Sequence, residues 1–326
     1  MSRRAASRRA LLVLILIVLA PVILAAGKVY FSDPGAFDGR GTILRANFDG
    51  TGVEVVVPAG PAADPGALAL DPAGGKIYWV ASADFGSALI KRANLDGTSV
   101  EQVVFIGGKG GQGGVSVDGD AGKLYFTDPS DCTPFCGSIR RADLDGSNQE
   151  FLIAGDFPRE ITVEPDLGKM WWSNEGEDTI YRGNLDGSGD EPILFGTHSE
   201  GLAVDRDAGK LYVTDYDLNR IFRTNLDGSG PQNLVTGLAG PLGIAVDPDG
   251  GKMYWVDRGT GKLRRAQLDG SGVEDLVAGL AGPRGVALLL DDEDEDEDDD
   301  EIADLPKRTP VITPLRGATS KVHFHR

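Results

Sequence analysis

Several function classes depend on residues of which this sequence has very few. The 326 residues include two cysteines and three histidines, and two of the histidines lie in the last four residues, which leaves His198 alone in the body of the chain. A structural zinc site takes four Cys or His ligands, so none is predicted. The sequence also has no G-x-S-x-G segment, which marks the nucleophilic serine of α/β-hydrolases. We therefore predict no metal site and no catalytic residue, and we expect His198 to be a loop residue.

Positive charge is also scarce. Fifty Asp and Glu stand against 32 Lys and Arg, for a formal net charge of −18, and residues 291–301 are an unbroken run of eleven acids. Proteins bind nucleic acid through clustered lysines and arginines that neutralise phosphates. The composition therefore excludes nucleic acid as a partner. Because like charges repel, we expect an extended acidic linker over residues 291–301, followed by a disordered basic tail over residues 302–326.

The two cysteines, Cys132 and Cys136, lie in a segment rich in Asp, Pro and Gly. We expect a local disulfide between them, which would add only about 2 kcal/mol because the closed loop is short. A disulfide fits an oxidising compartment. A redox or metal role would need partner residues that the sequence does not show.

The N-terminus has the features of a targeting segment. Four arginines precede residues 11–26, which contain no charge and one proline. As a helix these residues would span about 24 Å, less than the ~30 Å core of a bilayer. The length favours a signal peptide over residues 1–26, and retention as a membrane anchor is the alternative. Both place the body outside the cytoplasm, secreted or anchored at the cell envelope.

One motif recurs six times at intervals of about 41 to 48 residues, the mark of a repeat architecture. Each copy pairs two large apolar residues, aromatic in five of the six, and follows them with a small and then an acidic or related residue. The copies are Tyr30-Phe31-Ser32-Asp33, Tyr78-Trp79-Val80-Ala81, Tyr125-Phe126-Thr127-Asp128, Trp171-Trp172-Ser173-Asn174, Tyr212-Val213-Thr214-Asp215 and Tyr254-Trp255-Val256-Asp257.

The residues around each copy predict four antiparallel strands and leave no room for a helix. A short run with small side chains, such as residues 201–204, suits an inner strand, and an Asp-Gly turn, such as Asp227-Gly228, joins the third strand to the fourth. The body begins with a second strand, residues 28–32, and ends with a first strand, residues 285–290. We therefore predict an all-β, six-bladed β-propeller over residues 27–290, in which the C-terminal strand completes the N-terminal blade and closes the ring.

The aromatic motif, the Leu-Asp-Gly turn and the Gly-x-Ala-Val-Asp strand together resemble the YWTD (class B) repeats of low-density-lipoprotein-receptor-type propellers. The resemblance covers residues 28–290 and implies a six-bladed, protein-binding fold. Two copies depart from the pattern, because Val80-Ala81 replaces Thr-Asp in the second and Asn174 replaces the acid in the fourth. We expect those two blades to differ at the edge where the motif ends.

Two further motifs suggest cofactors without the structural context that cofactors need. Residues 108–113 read G-x-G-x-x-G but lead into a predicted strand, whereas dinucleotide binding needs a helix there. Pairs such as Asp205 and Asp207 resemble the start of a calcium loop and lack its later ligands. We predict turns at these pairs and no cofactor, with weak calcium binding as the alternative.

The strand directions sort the loops between two faces. We call the face where the inner strands begin the top; it carries the connections after each motif copy and those entering each inner strand, and there the copies diverge. Because binding residues concentrate on variable loops of a rigid scaffold, we predict the ligand site there. Four aromatics are expected on the outer top loops: Phe37, Phe85, Phe135 and Tyr216. Seven residues are expected around the channel mouth: Asp64, Gln112, Arg159, Glu160, Glu200, Leu242 and Arg284.

These observations favour a monomeric, extracytoplasmic scaffold that binds a protein or peptide ligand at its top face. Aromatics among acids suit a partner with apolar and basic groups, although the same aromatics could pack on their own blades. The alternative is a calcium-dependent hydrolase or lactonase-like enzyme with a metal in the central channel, to which Glu160 and Glu200 would contribute. A structural envelope component without a saturable partner is the third interpretation.

Overall fold

The computed structural model describes residues 27–35, 41–60, 63–82, 87–107, 113–132 and 136–290, without the side chains of residues 130–132 and 136. All of them belong to one unit, Met1–Asp291; the other unit, Asp292–Arg326, contains no described residue. The predictions for residues 1–26, 291–301 and 302–326 and for Phe37, Phe85, Gln112 and Phe135 therefore lie outside the described residues. Within the described part of the chain, no helix is long and apolar enough to cross a membrane.

Over these residues the chain forms six four-stranded antiparallel sheets, which confirms the predicted six-bladed propeller. Blade 1 contains β1 (Lys28–Asp33), β2 (Thr42–Asn47), β3 (Glu54–Val57) and the C-terminal β24 (Val286–Leu289). Blade 2 contains β4 (Pro65–Asp71), β5 (Lys76–Ser82), β6 (Ala88–Asn94) and β7 (Glu101–Ile106). Blade 3 contains β8 (Val115–Asp118), β9 (Lys123–Cys132), β10 (Cys136–Asp143) and β11 (Glu150–Ala154).

The last three blades follow the same order. Blade 4 contains β12 (Pro158–Glu164), β13 (Lys169–Asn174), β14 (Thr179–Asn184) and β15 (Glu191–Phe195), with a one-turn 3-10 helix at Pro165–Leu167. Blade 5 contains β16 (Ser199–Asp205), β17 (Lys210–Asp215), β18 (Arg220–Asn225) and β19 (Gln232–Thr236). Blade 6 contains β20 (Pro241–Asp247), β21 (Lys252–Asp257), β22 (Lys262–Gln267) and β23 (Glu274–Ala278).

The ring closes as predicted. β24 pairs antiparallel with β1, with Leu289 opposite Lys28 and Val286 opposite Phe31, and so forms the inner strand of blade 1. In blade 3, the register places Cys132 opposite Cys136 across β9 and β10. Their side chains lie outside the description, so the disulfide stays a prediction.

The aromatic pairs form the cores between blades. Successive residues of a strand point to opposite faces, so the two members of a pair reach different neighbours. Tyr78 packs in a core with Phe126 of blade 3, whereas Trp79 packs in a core with Tyr30 of blade 1. The same division holds for the other copies, and each of these rings is at most 2 % exposed. The motif is therefore scaffold, because each copy joins its blade to both neighbours.

An arginine near the end of each third strand joins every blade to the next. The guanidinium donates to the main-chain carbonyl of the residue before the next blade's Asp-Gly turn, at 3.2 Å from Arg45 to Leu95 and 2.8 Å from Arg92 to Leu144. The sixth of these bonds runs from Arg265 to Phe48, at 2.7 Å, and so closes the ring from blade 6 to blade 1.

The Asp-Gly turns are held by their contact with the preceding blade. Gly97 has φ +82°, and a Cβ there would lie 1.9 Å from the carbonyl oxygen of Val56, whereas Gly122, with φ +66°, has no neighbour within 4 Å of that position. Gly122→Ala should cost about 1–2 kcal/mol for the left-handed backbone alone. Gly97→Ala should cost about 3 kcal/mol or more, because blade 1 must also move. Urea unfolding of the two variants measures the difference, and equal losses would contradict the close approach.

Candidate binding site at the channel mouth

A cavity of about 230 Å³ opens at the top of the ring, where the inner strands begin. Segments of all six blades line it, since its wall includes residues from each inner strand or from the connection that enters it. Six of the residues predicted for the top face lie in the wall: Arg159, Glu160, Glu200, Tyr216, Leu242 and Arg284. Asp64 lies outside the wall, although its charge acts on Arg284.

Three further charged residues in the wall were not predicted. Glu175 and Arg258 each come directly after a motif copy, as Tyr216 does, and His198 lies just before β16. The residue that follows the motif in blades 4, 5 and 6 therefore reaches the channel mouth. The sequence contains a signal for these positions, because the residue after the motif differs from copy to copy while the motif itself is repeated.

Hydroxyl groups of the motif fix the inner strands that carry the site. Thr127 Oγ1 accepts the N–H of Gly114 in its own blade at 2.7 Å and donates to the carbonyl of Arg159 in the next blade at 2.8 Å. Ser173 acts in the same way between Glu160, whose N–H it accepts at 3.2 Å, and Ser199, to whose carbonyl it donates at 3.0 Å. The small residue of the motif thus sets where Arg159, Glu160 and the start of β16 lie.

Opposite charges form a network on one side of the cavity. Arg159 donates to Glu175 at 2.5 Å, and the second oxygen of Glu175 lies 4.0 Å from His198 Nε2. His198 Nε2 is 3.2 Å from Glu200, and its Nδ1 is 3.4 Å from Asp217. The imidazole therefore has a carboxylate at each nitrogen, with the ring of Tyr216 at 5.7 Å between centroids.

This network fixes the charge states of His198 and Glu200. The hydrogen bond with Glu200 is the main cause that raises the pKa of His198 to about 9, with Asp217 adding to it against the effect of burial. Burial alone would raise the pKa of Glu200, but His198, Arg159 and Arg284 outweigh it and lower the pKa below its ordinary value. At neutral pH the pair is therefore an imidazolium and a carboxylate.

Glu160 has the opposite character. It is enclosed in the channel, and burial followed by the negative charge of Glu200 raises its pKa well above its ordinary value. Both causes disfavour the carboxylate form. The carboxyl of Glu160 therefore keeps its proton to a higher pH than a free glutamate does.

The surroundings of Arg284 in the cavity disfavour its positive charge. Burial, followed by the charges of Arg258 and Arg159, lowers its pKa from the ordinary value, with Glu200 and Asp64 opposing them. Its Nε is buried and has no hydrogen-bond partner within the described residues. A carboxylate entering the cavity would meet three arginines and the imidazolium of His198, beside the acidic residues Glu160, Glu175 and Glu200 of the wall.

A second hollow adjoins the cavity at the top connections of blades 5 and 6. It has a volume of about 500 Å³, and Tyr216 and Arg258 line both hollows. The rest of its wall consists of Asp217, Asn219, Ala281 and the connections at residues 239–240 and 259. The two hollows are therefore neighbours that share two side chains.

The wall does not suit a divalent cation. Within the described part of the chain, no group of three or more His, Cys, Asp or Glu could hold a metal ion. Three arginines, Arg159, Arg258 and Arg284, face the same space. Neighbouring cations repel a metal ion, so the residues present do not fit a calcium site.

Comparisons with known proteins establish the fold. No family model matches the chain, and no curated protein matches it. Among solved structures, a chain of a nidogen/laminin complex is 20 % identical with a TM-score of 0.70, covering 81 % of this chain and 99 % of that one. TolB from Acinetobacter baumannii is 17 % identical with a TM-score of 0.65, covering 81 % and 66 %. A putative TolB from Agrobacterium tumefaciens is 16 % identical with a TM-score of 0.60, covering 79 % and 90 %.

Proposed function

We propose that the protein is an extracytoplasmic scaffold that binds a peptide or protein segment at its top face, with one acidic side chain of the ligand in the channel mouth. The observation that carries this proposal is the adjacency of two hollows at the top face, the channel cavity and the hollow that shares Tyr216 and Arg258 with it. Two adjacent hollows suit an extended segment with several side chains better than a small molecule. A chain of the same fold is found in a nidogen/laminin complex, which supports binding between proteins as the function.

The charges of the cavity specify the ligand group. Arg284 has a buried Nε that no described residue accepts from, and it lies in the field of two other arginines. A ligand carboxylate would satisfy that donor and relieve the repulsion, and hydrogen bonds to charged groups are worth about 1.5–3 kcal/mol. The channel mouth therefore favours an Asp or Glu side chain, which differs from the basic ligand expected from the acids of the outer loops.

The compartment and the relationship to YWTD propellers belong to the same proposal. The arginine-rich N-terminus with its apolar segment supports export, as a secreted protein or a tethered one. The repeated motif and its place in the interblade cores support kinship with YWTD repeats. We further propose that the ring acts as a monomer, without a cofactor.

A second candidate function, hydrolysis, draws on Glu160 and Glu200. Both line the cavity, and the pKa of Glu160 is raised while that of Glu200 is lowered, which is the division that an acid and a base require. The wall does not fit calcium, so this candidate rests on the carboxyls alone. Hydrolytic activity toward an ester or lactone panel that disappears in Glu160→Gln would favour it over binding.

Selection from a random peptide library against the immobilised full chain tests the proposed function. We expect enriched peptides to share an Asp or Glu and to bind saturably. Arg284→Met should weaken their affinity by about 10-fold or more, because a charged hydrogen bond is lost. Asp249→Asn, an exposed turn position on the bottom face, serves as the matched control and should change nothing. Peptides that bind Arg284→Met as tightly as the unaltered chain would contradict the proposal.

A further inference from the structure

Three blades place an arginine of the chain beside the acid that ends the motif. Arg140 lies 3.1 Å from Asp128 in blade 3, and Arg220 lies 2.9 Å from Asp215 in blade 5. In blade 6, Arg264 lies 3.4 Å from Asp257 and also stands over the ring of Trp255, at 5.9 Å from its centroid. In blade 5, Arg220 stands over the ring of Phe222, at 4.8 Å from its centroid. A cation and an acid thus recur as a local unit, with an aromatic ring in blades 5 and 6.

Blade 4 has no arginine at either of the two strand positions that carry it in blades 3, 5 and 6. Trp172 pairs with Tyr181, as Trp255 pairs with Arg264 and Phe126 with Arg140. The first residue of β14 is Thr179, where β18 of blade 5 begins with Arg220. Tyr181 stacks on Trp172, with centroids 5.6 Å apart and planes inclined by 13°. An aromatic therefore takes the place of the cation.

Blades 1 and 2 differ from these blades at the last residue of the motif. In blade 1, Asp33 accepts the N–H groups of Ala281, at 2.9 Å, and Gly282, at 2.9 Å. In blade 2, Ala81 stands at the acidic position.

In blade 4 the corresponding residue, Asn174, is 6 % exposed, and its Oδ1 has no partner within the described residues. A buried acceptor without a donor is costly, so this atom indicates a ligand that can donate.

A cavity of about 160 Å³ lies beside these residues, at the boundary of blades 3 and 4. We call it the blade-4 pocket; its wall contains Asn174, Trp172, Tyr181 and three acids, with residues 153–155. The acids are Asp156, Glu177 and Asp190. No residue lines both this pocket and the channel cavity.

The three acids face the pocket without a cation of the described part of the chain. No described lysine or arginine forms an ion pair with them. Tyr181 donates its hydroxyl to Glu177 at 2.5 Å. Burial, followed by the negative charges of Glu177, Asp190 and Asp156, raises the pKa of Tyr181 to about 12, consistent with their shared position in the pocket wall.

We propose that the blade-4 pocket binds the guanidinium group of an arginine side chain from a peptide or protein partner. A guanidinium is planar, stacks on aromatic rings and donates up to five hydrogen bonds in a fixed fork, which fits Tyr181, the carboxylates and Asn174 Oδ1. In blades 3, 5 and 6 the guanidinium belongs to an arginine of the chain itself, whereas in blade 4 it would belong to the partner. The site shares no lining residue with the channel cavity, so this proposal can be tested separately from the proposed function.

Titration of the ¹⁵N-labelled full chain with Nα-acetyl-arginine methylamide tests the site. The chain has four tryptophans, and the indole of Trp172 lines the pocket. We expect a saturable shift of the Trp172 indole resonance, identified by its absence in Trp172→Phe. The citrulline analogue, which has the same shape without the charge, should leave the resonance unchanged. Equal shifts with citrulline, or with the lysine analogue, would overturn the assignment of a guanidinium.

Two variants and one control locate the binding. Tyr181→Arg restores the arrangement of blades 3 and 6 and should abolish the shift in a folded protein. Asp156→Asn combined with Glu177→Gln should weaken binding at least 10-fold, whereas Asp249→Asn, at an exposed turn, should not. Unchanged binding in Tyr181→Arg would overturn the proposal. If a chain that ends at Leu290 binds and the full chain does not, the basic tail of the chain itself is the occupant, and the partner is excluded.

Discussion

A chain that ends at Pro283 lacks the strand that closes the ring and should not fold cooperatively. Val286–Leu289 is the inner strand of blade 1, and its loss exposes the edge of β1 over the register from Lys28 to Phe31. Val286 and Leu288 pack in the core between blades 6 and 1, and Leu289 packs in the core between blades 1 and 2. Full burial of a side chain of this kind is worth about 1.5–3 kcal/mol, and Leu288 and Leu289 are partly buried, so the three side chains supply a sizeable share of the stability of an ordinary domain, about 5–15 kcal/mol.

Polar contacts at the closure are lost in the same deletion. Gly285 donates its N–H to Ser32 Oγ at 2.8 Å, and the carbonyl of Gly285 accepts the N–H of Ser32 at 3.0 Å. We expect the far-UV circular dichroism of the truncated chain to show no sharp unfolding transition with urea. The matched control ends at Leu290 and keeps every described strand, so it should unfold as the full chain does. A truncated chain with an unchanged urea midpoint would show that the ring does not depend on its closure.

Glu160→Gln should stabilise the protein at pH 8 and leave it unchanged near pH 4. The folded state raises the pKa of Glu160 well above its ordinary value through burial and the charge of Glu200. Below the ordinary pKa, near 4.5, the carboxyl is protonated in both the folded and the unfolded chain. As the pH rises, the unfolded chain ionises first, so stability falls by about 1.4 kcal/mol per pH unit until the folded pKa is reached. Glutamine keeps the neutral form and removes this loss.

Urea unfolding of both proteins at pH 4 and pH 8 measures the effect. The variant should gain stability over the unaltered protein as the pH rises, by more than 1.4 kcal/mol if the folded pKa exceeds the ordinary one by at least one unit. His198→Gln is the contrasting control. The raised pKa of His198, about 9, contributes stability below about pH 6.5 that is lost as the pH rises through 9, so its removal should destabilise the protein at neutral pH. Equal stability of Glu160→Gln and the unaltered protein at pH 8 would mean that folding does not raise the pKa of Glu160.

The repeated parts of the fold could be predicted from the sequence, and the reason is physical. Each motif copy encodes two core contacts on opposite faces of one strand, so its repetition predicts blade number, strand order and closure together. One repeated feature was missed. An arginine stands four residues before each Asp of the Asp-Gly turns, as in Arg45 before Asp49, and all six bond to the next blade.

The site could be predicted only to the level of a face and a ring of positions. Strand direction places Arg159, Glu160 and Arg284 at the channel mouth, because each stands where an inner strand begins. It does not show that the residue after the motif, such as Arg258, turns inward, since that depends on the path of the connection. The pairing of His198 with Glu200, two residues away, depends on side-chain rotamers and on the bulge between Ser199 and Gly201.

The fourth motif copy shows how a departure from a repeated motif can mark a candidate binding pocket. Asn174 was expected to change the edge of its blade, and its Oδ1 is indeed a buried acceptor without a partner within the described residues. Its significance depends on Tyr181, which lies across the strand from Trp172 and replaces an arginine found at that register in blades 3 and 6. Only the register between two strands reveals this substitution.

Hydrogen–deuterium exchange of the full chain, with and without a selected acidic peptide, tests the central claim most directly. If the ligand occupies the channel mouth and the hollow that adjoins it, protection should appear in residues 157–160, 198–200, 216–219, 239–244 and 282–286, whose segments form these walls. The bottom turns around Asp96, Asp145 and Asp227 should exchange as in the free protein. Protection of those turns, or of no segment at the top face, would contradict the account.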